Sequence, residues 1–254
     1  MKSQRYSRAD LERFLSGLAE AGHRCLTIYV EPGLFPQYVL DVKAGPEWHM
    51  LLDEVKAVVQ QEGVLRAAEK YGTGAAIFWG EGAAKHLIIP PFPLPQTWVS
   101  TGMPDVSLLK ATLGKRYLLG VVLVAWGSYA LGVFDGGRPV EWKTGTGYIH
   151  KKHRKGGRSE RRFARRTEEQ KKDFLRKVAN RIDERFGGLT LDYIYFGGNR
   201  LILKPLVREC RYLQSNAAKL SSRVLETRYA DKEALFNSYR EITTSLLFSF
   251  DSVS

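Results

Sequence analysis

The chain has 254 residues, 44% of them hydrophobic, which is enough to bury the core of one large domain or two small ones. No run of eighteen apolar residues occurs, and the N-terminal segment has no apolar signal-peptide core, so we expect a cytoplasmic protein without a membrane partner. The formal net charge is +12, and its concentration in one short segment indicates a polyanionic partner.

The N-terminal third alternates helical and strand patterns. Ser7 with Asp10 is typical of a capping box and predicts a helix that runs to about Ala21. The apolar run Cys25–Val30 predicts a strand that ends at a turn-prone Glu-Pro-Gly sequence. Apolar residues near helical spacing then predict one long helix over about 46–71.

A hairpin and a proline-rich stretch follow. Two apolar segments on either side of Gly80–Gly82 predict the hairpin. Residues 90–104 hold half of the ten prolines, which excludes a helix or a central strand, and we interpret them as the boundary between two halves. We therefore expect an N-terminal α/β domain of unknown role over residues 1–112 and a second domain over residues 113–254.

The second half is richer in strand patterns. It predicts three strands joined by glycine turns, then a long helix, a buried strand, and a final strand and helix. The long helix covers about Glu160 to Arg185, and the last helix covers Asp231 to about Leu247. The fold class is therefore α/β, with a mixed β-sheet and flanking helices.

The strongest chemical signal is the segment Lys151–Arg166, KKHRKGGRSERRFARR. It carries nine basic side chains and one acidic one, a net +8 within a total of +12. Its two glycines can adopt positive φ and expose consecutive N–H groups. The first half of the following helix offers little besides Phe163 to a core, so we expect that end to project beyond the domain and carry the glycines outward.

Other signals are weaker. Ser107–Lys110 with Lys143–Gly145 has the residue types of penicillin-binding enzymes, but the two boxes are too close and lack the intervening element. His150 and His153 have no cysteine or acidic cluster beside them, so we expect no metal and no other cofactor. The two cysteines, Cys25 and Cys210, lie in apolar stretches and are expected as buried, reduced thiols.

The basic segment closely resembles the loop of the middle domain of archaeal and eukaryotic peptide-chain release factors. In that family, Lys-Lys-His precedes Gly-Gly-Gln-Ser, and Arg-Phe-Ala-Arg and a long helix follow. The matching positions here are Lys151, Lys152, His153, Gly156, Gly157, Ser159, Arg162, Phe163, Ala164 and Arg165. A looser resemblance extends over about 115–245 and implies an RNase H-like, middle-domain fold for the C-terminal half, most like the ribosome-rescue branch.

The resemblance also implies roles for residues. Gly156 and Gly157 would form the turn, the N–H of Arg158 would stabilise the leaving 3′ oxygen of the tRNA, and Glu160 is the nearest group to polarise water. The RNA-binding set would be Lys151, Lys152, His153, Arg154, Lys155, Arg161, Arg162, Arg165 and Arg166. The implied partners are the peptidyl-transferase centre of the large ribosomal subunit, its ribosomal RNA and peptidyl-tRNA, with no role for DNA.

The sequence departs from the family at two points. Arg158 stands where the family has glutamine, and the first hundred residues contain no recognisable stop-codon-reading domain. Three hypotheses remain open: a rescue hydrolase of peptidyl-tRNA, a non-catalytic ribosome- or tRNA-binding protein, and a nuclease that cuts near the tRNA 3′ end. The nuclease would use His153, Glu160 and Arg158 as acid, base and phosphate clamp.

Overall fold

The structure is a computed structural model that describes residues 1–43, 45–80, 85–149 and 158–250, with the backbone alone described for 158–161. The described chain forms two compact units. The first contains Met1–Lys115 and the C-terminal segment from Ile242, and the second is the continuous stretch Arg116–Glu241.

The first unit contains both helices and strands up to the unit boundary. In order they are β1 (Lys2–Tyr6), α1 (Arg8–Glu20), β2 (Cys25–Val30), α2 (Gln37–Asp41), α3 (His49–Val59), α4 (Glu62–Tyr71), β3 (Ala75–Gly80), β4 (Lys85–Ile89), β5 (Trp98–Gly102) and α5 (Ser107–Gly114).

The elements of the second unit follow, and one last strand returns to the first. They are β6 (Leu118–Ala125), β7 (Ser128–Asp135), β8 (Arg138–Thr146), α6 (Arg158–Phe186), β9 (Tyr193–Gly198), α7 (Arg200–Glu209), α8 (Arg211–Ser215), β10 (Leu220–Leu225), α9 (Lys232–Ile242) and β11 (Ser245–Ser249).

The first unit is built on a six-stranded antiparallel sheet in the order β1-β11-β4-β3-β2-β5. Every residue of β2 and β3 is buried, because apolar clusters lie on both faces of the sheet. Leu52 and Val55 of α3 belong to one cluster, and Leu11 and Leu15 of α1 belong to the other. Burial on both faces explains why the sequence of β2 is a continuous apolar run and does not alternate between apolar and polar residues.

The second unit is built on a five-stranded mixed sheet in the order β10-β9-β6-β7-β8. Strands β6, β7 and β8 form an antiparallel meander, and β9 and β10 join parallel to β6 and β9. This is the strand order of an RNase H-like sheet. Helices α6 and α7 pack on one face through a cluster that includes Val178, Ile182 and Ile202. The predicted class, a mixed α/β fold with flanking helices, is confirmed.

Several local predictions are also confirmed. The side chain of Ser7 accepts a hydrogen bond from the N–H of Asp10, 3.2 Å away, at the start of α1. Strand β2 has the predicted bounds, and the meander turns at the predicted glycines. Both cysteines are buried free thiols. Among the described residues, no helix combines the length and the apolar content needed to cross a membrane.

The structure corrects two helix predictions. The long helix expected over 46–71 is divided into α3 and α4, because the backbone of Gln61 is extended (ψ 133°) and interrupts the helical path. The last helix ends at Ile242 instead of about Leu247. The residues that follow form β11, because Leu247 and Phe248 are buried there and the strand pairs with both β1 and β4.

The boundary between the halves also differs from the expectation. The proline-rich stretch contains β5, an edge strand that pairs with β2, so it belongs to the first sheet. An edge position suits this strand because prolines flank it and cannot donate to a ladder. The first unit extends to Lys115 and also includes the segment from Ile242 onward, whereas we expected one domain over 113–254.

Candidate functional site

The predicted site residues divide into three groups by what the structure describes of them. Seven lie outside the described residues: Lys151, Lys152, His153, Arg154, Lys155, Gly156 and Gly157. Arg158, Glu160 and Arg161 lie in the first turn of α6, where only the backbone is described. Arg162, Arg165 and Arg166 have exposed side chains farther along the same helix.

Strand β8 leads into the basic segment and is fixed against the middle of α6. The Lys177 ammonium donates a hydrogen bond to the carbonyl oxygen of Thr146, 2.7 Å away. The next residue, Gly147, lies directly against a ring of α6, since a Cβ added there would come 2.5 Å from Phe174 Cδ2. Its N–H donates to the carbonyl of Gly127 at 2.9 Å. A glycine is therefore required where the chain leaves the sheet.

The basic segment rejoins the structure far from that point. Phe174 lies sixteen positions after Arg158, the first residue of α6. At 1.5 Å per residue, this is about 24 Å along the helix axis. None of the side chains described from Arg162 to Asp173 is buried, whereas Phe174 is 3% exposed. The expectation that this end of the helix projects from the core is confirmed.

The buried half of α6 supports that projection. Phe174, Val178 and Ile182 are spaced four residues apart and lie in the core of the second unit. The Lys171 ammonium lies 5.3 Å from the centre of the Trp126 ring, and this cation–π contact marks the edge of the core. Sequence reasoning missed this support, because an aromatic at a strand end gives no sign of which helix covers it.

The exposed half of α6 is strongly basic. Arg158, Arg162 and Arg166 occur every four residues, which places their Cα positions on one face of the helix. Arg165 pairs with Glu169 at 3.1 Å, but its side chain remains 84% exposed. Like charges at this spacing repel one another, so this face is suited to bind a polyanion.

The helix start adds partial positive charge at the same end. The N–H groups of residues 158–160 have no acceptor within α6, as in the first turn of any α-helix. Helix N-termini stabilise negative charge through these groups and through the macrodipole. The N–H of Arg158, the group that the family resemblance implicates in catalysis, is therefore part of an anion-stabilising backbone turn.

Comparisons with known proteins identify the second unit. The family model acVLRF1, described as "Actinobacteria/chloroflexi VLRF1 release factor", matches residues 117–247, which is just over half of the chain. A search of the curated proteins finds no match. The matched residues contain the whole basic segment and α6.

Two solved structures are distantly similar. One is the crystal structure of the archaeal translation termination factor aRF1, which has 18% identity and a TM-score of 0.33 over 85% of this chain. This chain covers only 64% of the length of that factor. The other is an archaeal protein with 16% identity and a TM-score of 0.36, over 91% of this chain and 69% of that one.

The family match confirms the resemblance inferred from the loop sequence. It rests on the part of the chain that carries the meander, the projecting helix and the following parallel strands. The chain belongs to the Actinobacteria/Chloroflexi VLRF1 release factor family.

Proposed function

We propose that the protein is a cytoplasmic, ribosome-associated rescue factor that hydrolyses the peptidyl-tRNA ester without reading a stop codon. The observation that carries this proposal is the basic glycine segment joined to the exposed half of α6. A segment carried about 24 Å beyond the core can enter a narrow RNA-lined space while the body of the protein stays outside.

The proposed partners are the large ribosomal subunit at its peptidyl-transferase centre, its ribosomal RNA and peptidyl-tRNA. The exposed arginines of α6, with the basic residues before it, would neutralise RNA phosphates and release counterions. Arg162 and Arg166 are placed to do so because they lie on the exposed part of the helix. Their contacts would position the glycines without taking part in the chemistry.

The proposed chemistry depends on the backbone. Gly156 and Gly157 would permit the turn that aims the Arg158 N–H at the leaving 3′ oxygen, as an oxyanion hole does. The first-turn N–H groups of α6 would add to the stabilisation of that charge. A backbone donor survives the replacement of glutamine by Arg158, and Glu160 is the candidate to orient the attacking water.

A second function is favoured by one observation, the absence of the family glutamine. Arg158 in its place adds another cation and removes an amide that could hold water. A non-catalytic protein that binds the ribosome or tRNA through the same segment would retain all the basic residues. This alternative predicts binding without peptide release.

The experiment is a release assay on stalled ribosome–nascent-chain complexes. One gel resolves the free peptide, the intact tRNA and the shortened tRNA. We expect slow peptide release by the wild type and a loss of about a hundred- to a thousand-fold in Gly157→Ala, the cost of losing one oxyanion donor. Gly188→Ala is the matched control, since a Cβ at this exposed glycine meets no atom within 4 Å.

Three other results would redirect the proposal. Release by Arg158→Gln but not by the wild type would identify a binding protein built on an inactive hydrolase. Shortened tRNA that depends on His153 or Glu160 would identify the nuclease. Equal release by Gly157→Ala and Gly188→Ala would remove the glycine turn from the mechanism.

A further inference from the structure

A second basic surface lies on α7, outside the family loop. Arg200, Lys204 and Arg208 occur every four residues of this ten-residue helix, and all three are exposed. At about 100° per residue they fall within an arc of roughly 80°. The opposite face buries Ile202 and Leu206 against the core of the second unit. We call the three cations the basic α7 face.

Within the described residues, carboxylates do not neutralise the charge of this face. In the described part of the chain, no carboxylate forms an ion pair with any of the three side chains, and the one acidic residue of α7 is Glu209. The buried half of α6, in the same unit, is different. There, Arg176 pairs with Asp173 at 3.3 Å, and Arg181 and Arg185 pair with glutamates.

This contrast indicates an external partner. Like charges four residues apart destabilise a helix, and Arg181 and Arg185 of α6, at the same spacing, each pair with a carboxylate. Arg211, the first residue of α8, is also exposed and adds a fourth cation after the end of α7. These cations repel one another but lie close together, so the face is suited to bind an anion long enough to contact all of them.

The spacing favours an extended polyanion. Neighbouring cations of the face are about 6 Å apart along the helix axis, and the outer two about 12 Å, so a single small anion could meet only one or two of them. Guanidinium groups match phosphate oxygens with two parallel hydrogen bonds. The repeating negative charge of a sugar-phosphate backbone can contact all three cations of the basic α7 face.

We propose that the basic α7 face is a second docking surface, which binds the sugar-phosphate backbone of ribosomal RNA. The inference rests on the proposed function, because ribosomal RNA is the polyanion that a factor acting in the large subunit meets. Contacts at α7 would hold the second unit on the RNA and would not touch the ester. They would therefore lower the concentration needed for half-maximal release without changing the saturated rate.

The test compares two triple variants of the full chain. One is Arg200→Gln, Lys204→Gln and Arg208→Gln. The control is Arg8→Gln, Arg13→Gln and Arg66→Gln, which removes the same charge from exposed, ion-paired positions of the first unit. Glutamine keeps helix propensity, and thermal unfolding verifies that both variants fold. Binding to purified large subunits is measured over a salt series.

We expect the α7 triple variant to flatten the logarithmic salt slope by roughly 2 to 3 and to weaken binding about tenfold or more at low salt. The control should keep the wild-type slope. In the release assay at saturating protein, the α7 variant should reach the wild-type rate at a higher half-saturating concentration. Identical slopes for the two triple variants would overturn the inference.

A competition experiment identifies the class of partner. Protein-free ribosomal RNA should abolish the difference between the wild type and the α7 variant. A difference that persists at saturating RNA would mean that the face binds an acidic ribosomal protein, which overturns the RNA inference. If the wild type binds through α7 but releases no peptide, the proposed function fails and this inference stands. If the wild type releases peptide and the α7 variant binds like the control, the proposed function stands and this inference fails.

Discussion

The two halves of α6 have the same secondary structure but different physical roles. From Phe174 onward, the helix buries an apolar residue every three or four positions. Before that point, none of the described side chains is buried, and most are charged. Since an isolated helix of this length is marginally stable in water, the exposed half depends on the buried half to remain helical. The core of the second unit therefore serves as the base of an extended basic arm.

The largest effect should separate the two aromatic residues at opposite ends of this helix. Phe186 is fully buried and lies 5.9 Å from the Tyr212 ring, whereas Phe163 is 44% exposed. We expect Phe186→Ala to lower the free energy of unfolding by about 3–5 kcal/mol. Phe163→Ala should change it by less than about 0.5 kcal/mol. Urea unfolding checks both values, and equal losses would remove the distinction between the halves.

The next effect should separate the arginines of the two halves. Removing the charges of Arg162 and Arg166 together, each by substitution with Gln, should flatten the salt slope of ribosome binding by roughly 1.5 to 2. The matched double variant, Arg176→Gln with Arg181→Gln, removes cations that already pair with carboxylates. We expect it to bind nearly as the wild type does, measured by sedimentation with ribosomes over a salt series. If the two double variants weaken binding equally, the exposed half has no special role in binding.

Alkaline pH should lower the free energy of unfolding through the buried thiol of Cys210, which contacts Asp183 in the buried half of α6. Burial raises the pKa of the Cys210 thiol to about 12, above its ordinary value of about 8.5 in an unfolded chain. The unfolded state therefore releases this proton first, and stability that is fully present below about pH 8.5 is lost as the pH rises toward 12. One such group contributes a slope of at most about 1.4 kcal/mol per pH unit.

The control for this prediction is Cys210→Ala. Substitution also removes the contact between the thiol and the Asp183 carboxylate, 3.3 Å apart, so the comparison uses slopes and not absolute stabilities. Urea unfolding at pH 7.5 to 10 should give a shallower decline for the variant. Buried tyrosines contribute to the decline in both proteins, so identical slopes would mean that Cys210 ionises equally in the two states.

The smallest effect concerns the exposed ion pair of Arg165 with Glu169. Both side chains are well exposed, and surface pairs four residues apart contribute at most about 0.5 kcal/mol to stability. We expect Glu169→Gln to leave the unfolding midpoint almost unchanged and to tighten ribosome binding slightly, since it removes a negative charge beside the arginines. A large loss of stability would show that the exposed half is held in place by its ion pairs.

Local patterns predicted the parts of this fold that local interactions determine. The cap at Ser7, strand β2 and the division of α6 at Phe174 all follow from residue types within a few positions of one another. The family loop was recognisable because its motif is continuous in sequence. The same pattern reading overlooked the basic face of α7, since three cations spread over nine residues give a weak signal against a background charge of +12.

The failures occurred where distant partners decide the structure. Residues 245–247 fit a helical pattern, yet they form a strand because β1 and β4 lie on either side of it. The prolines around β5 argued against a strand there, and only its pairing with β2 identifies it. The packing of Gly147 against Phe174 is equally non-local. No single-sequence pattern contains these partners.

The place of β11 between β1 and β4 has a consequence for the order in which the protein can fold during its own synthesis. The second unit is one continuous stretch and can fold once Glu241 has been made. The first unit cannot, because its N-terminal strand has no partner until Ser245–Ser249 has emerged. Until then, β1 and β4 both present open edges, which are hazards for pairing with another chain. A factor proposed to release stalled nascent chains therefore has a first unit that is complete only after its own β11 has been translated.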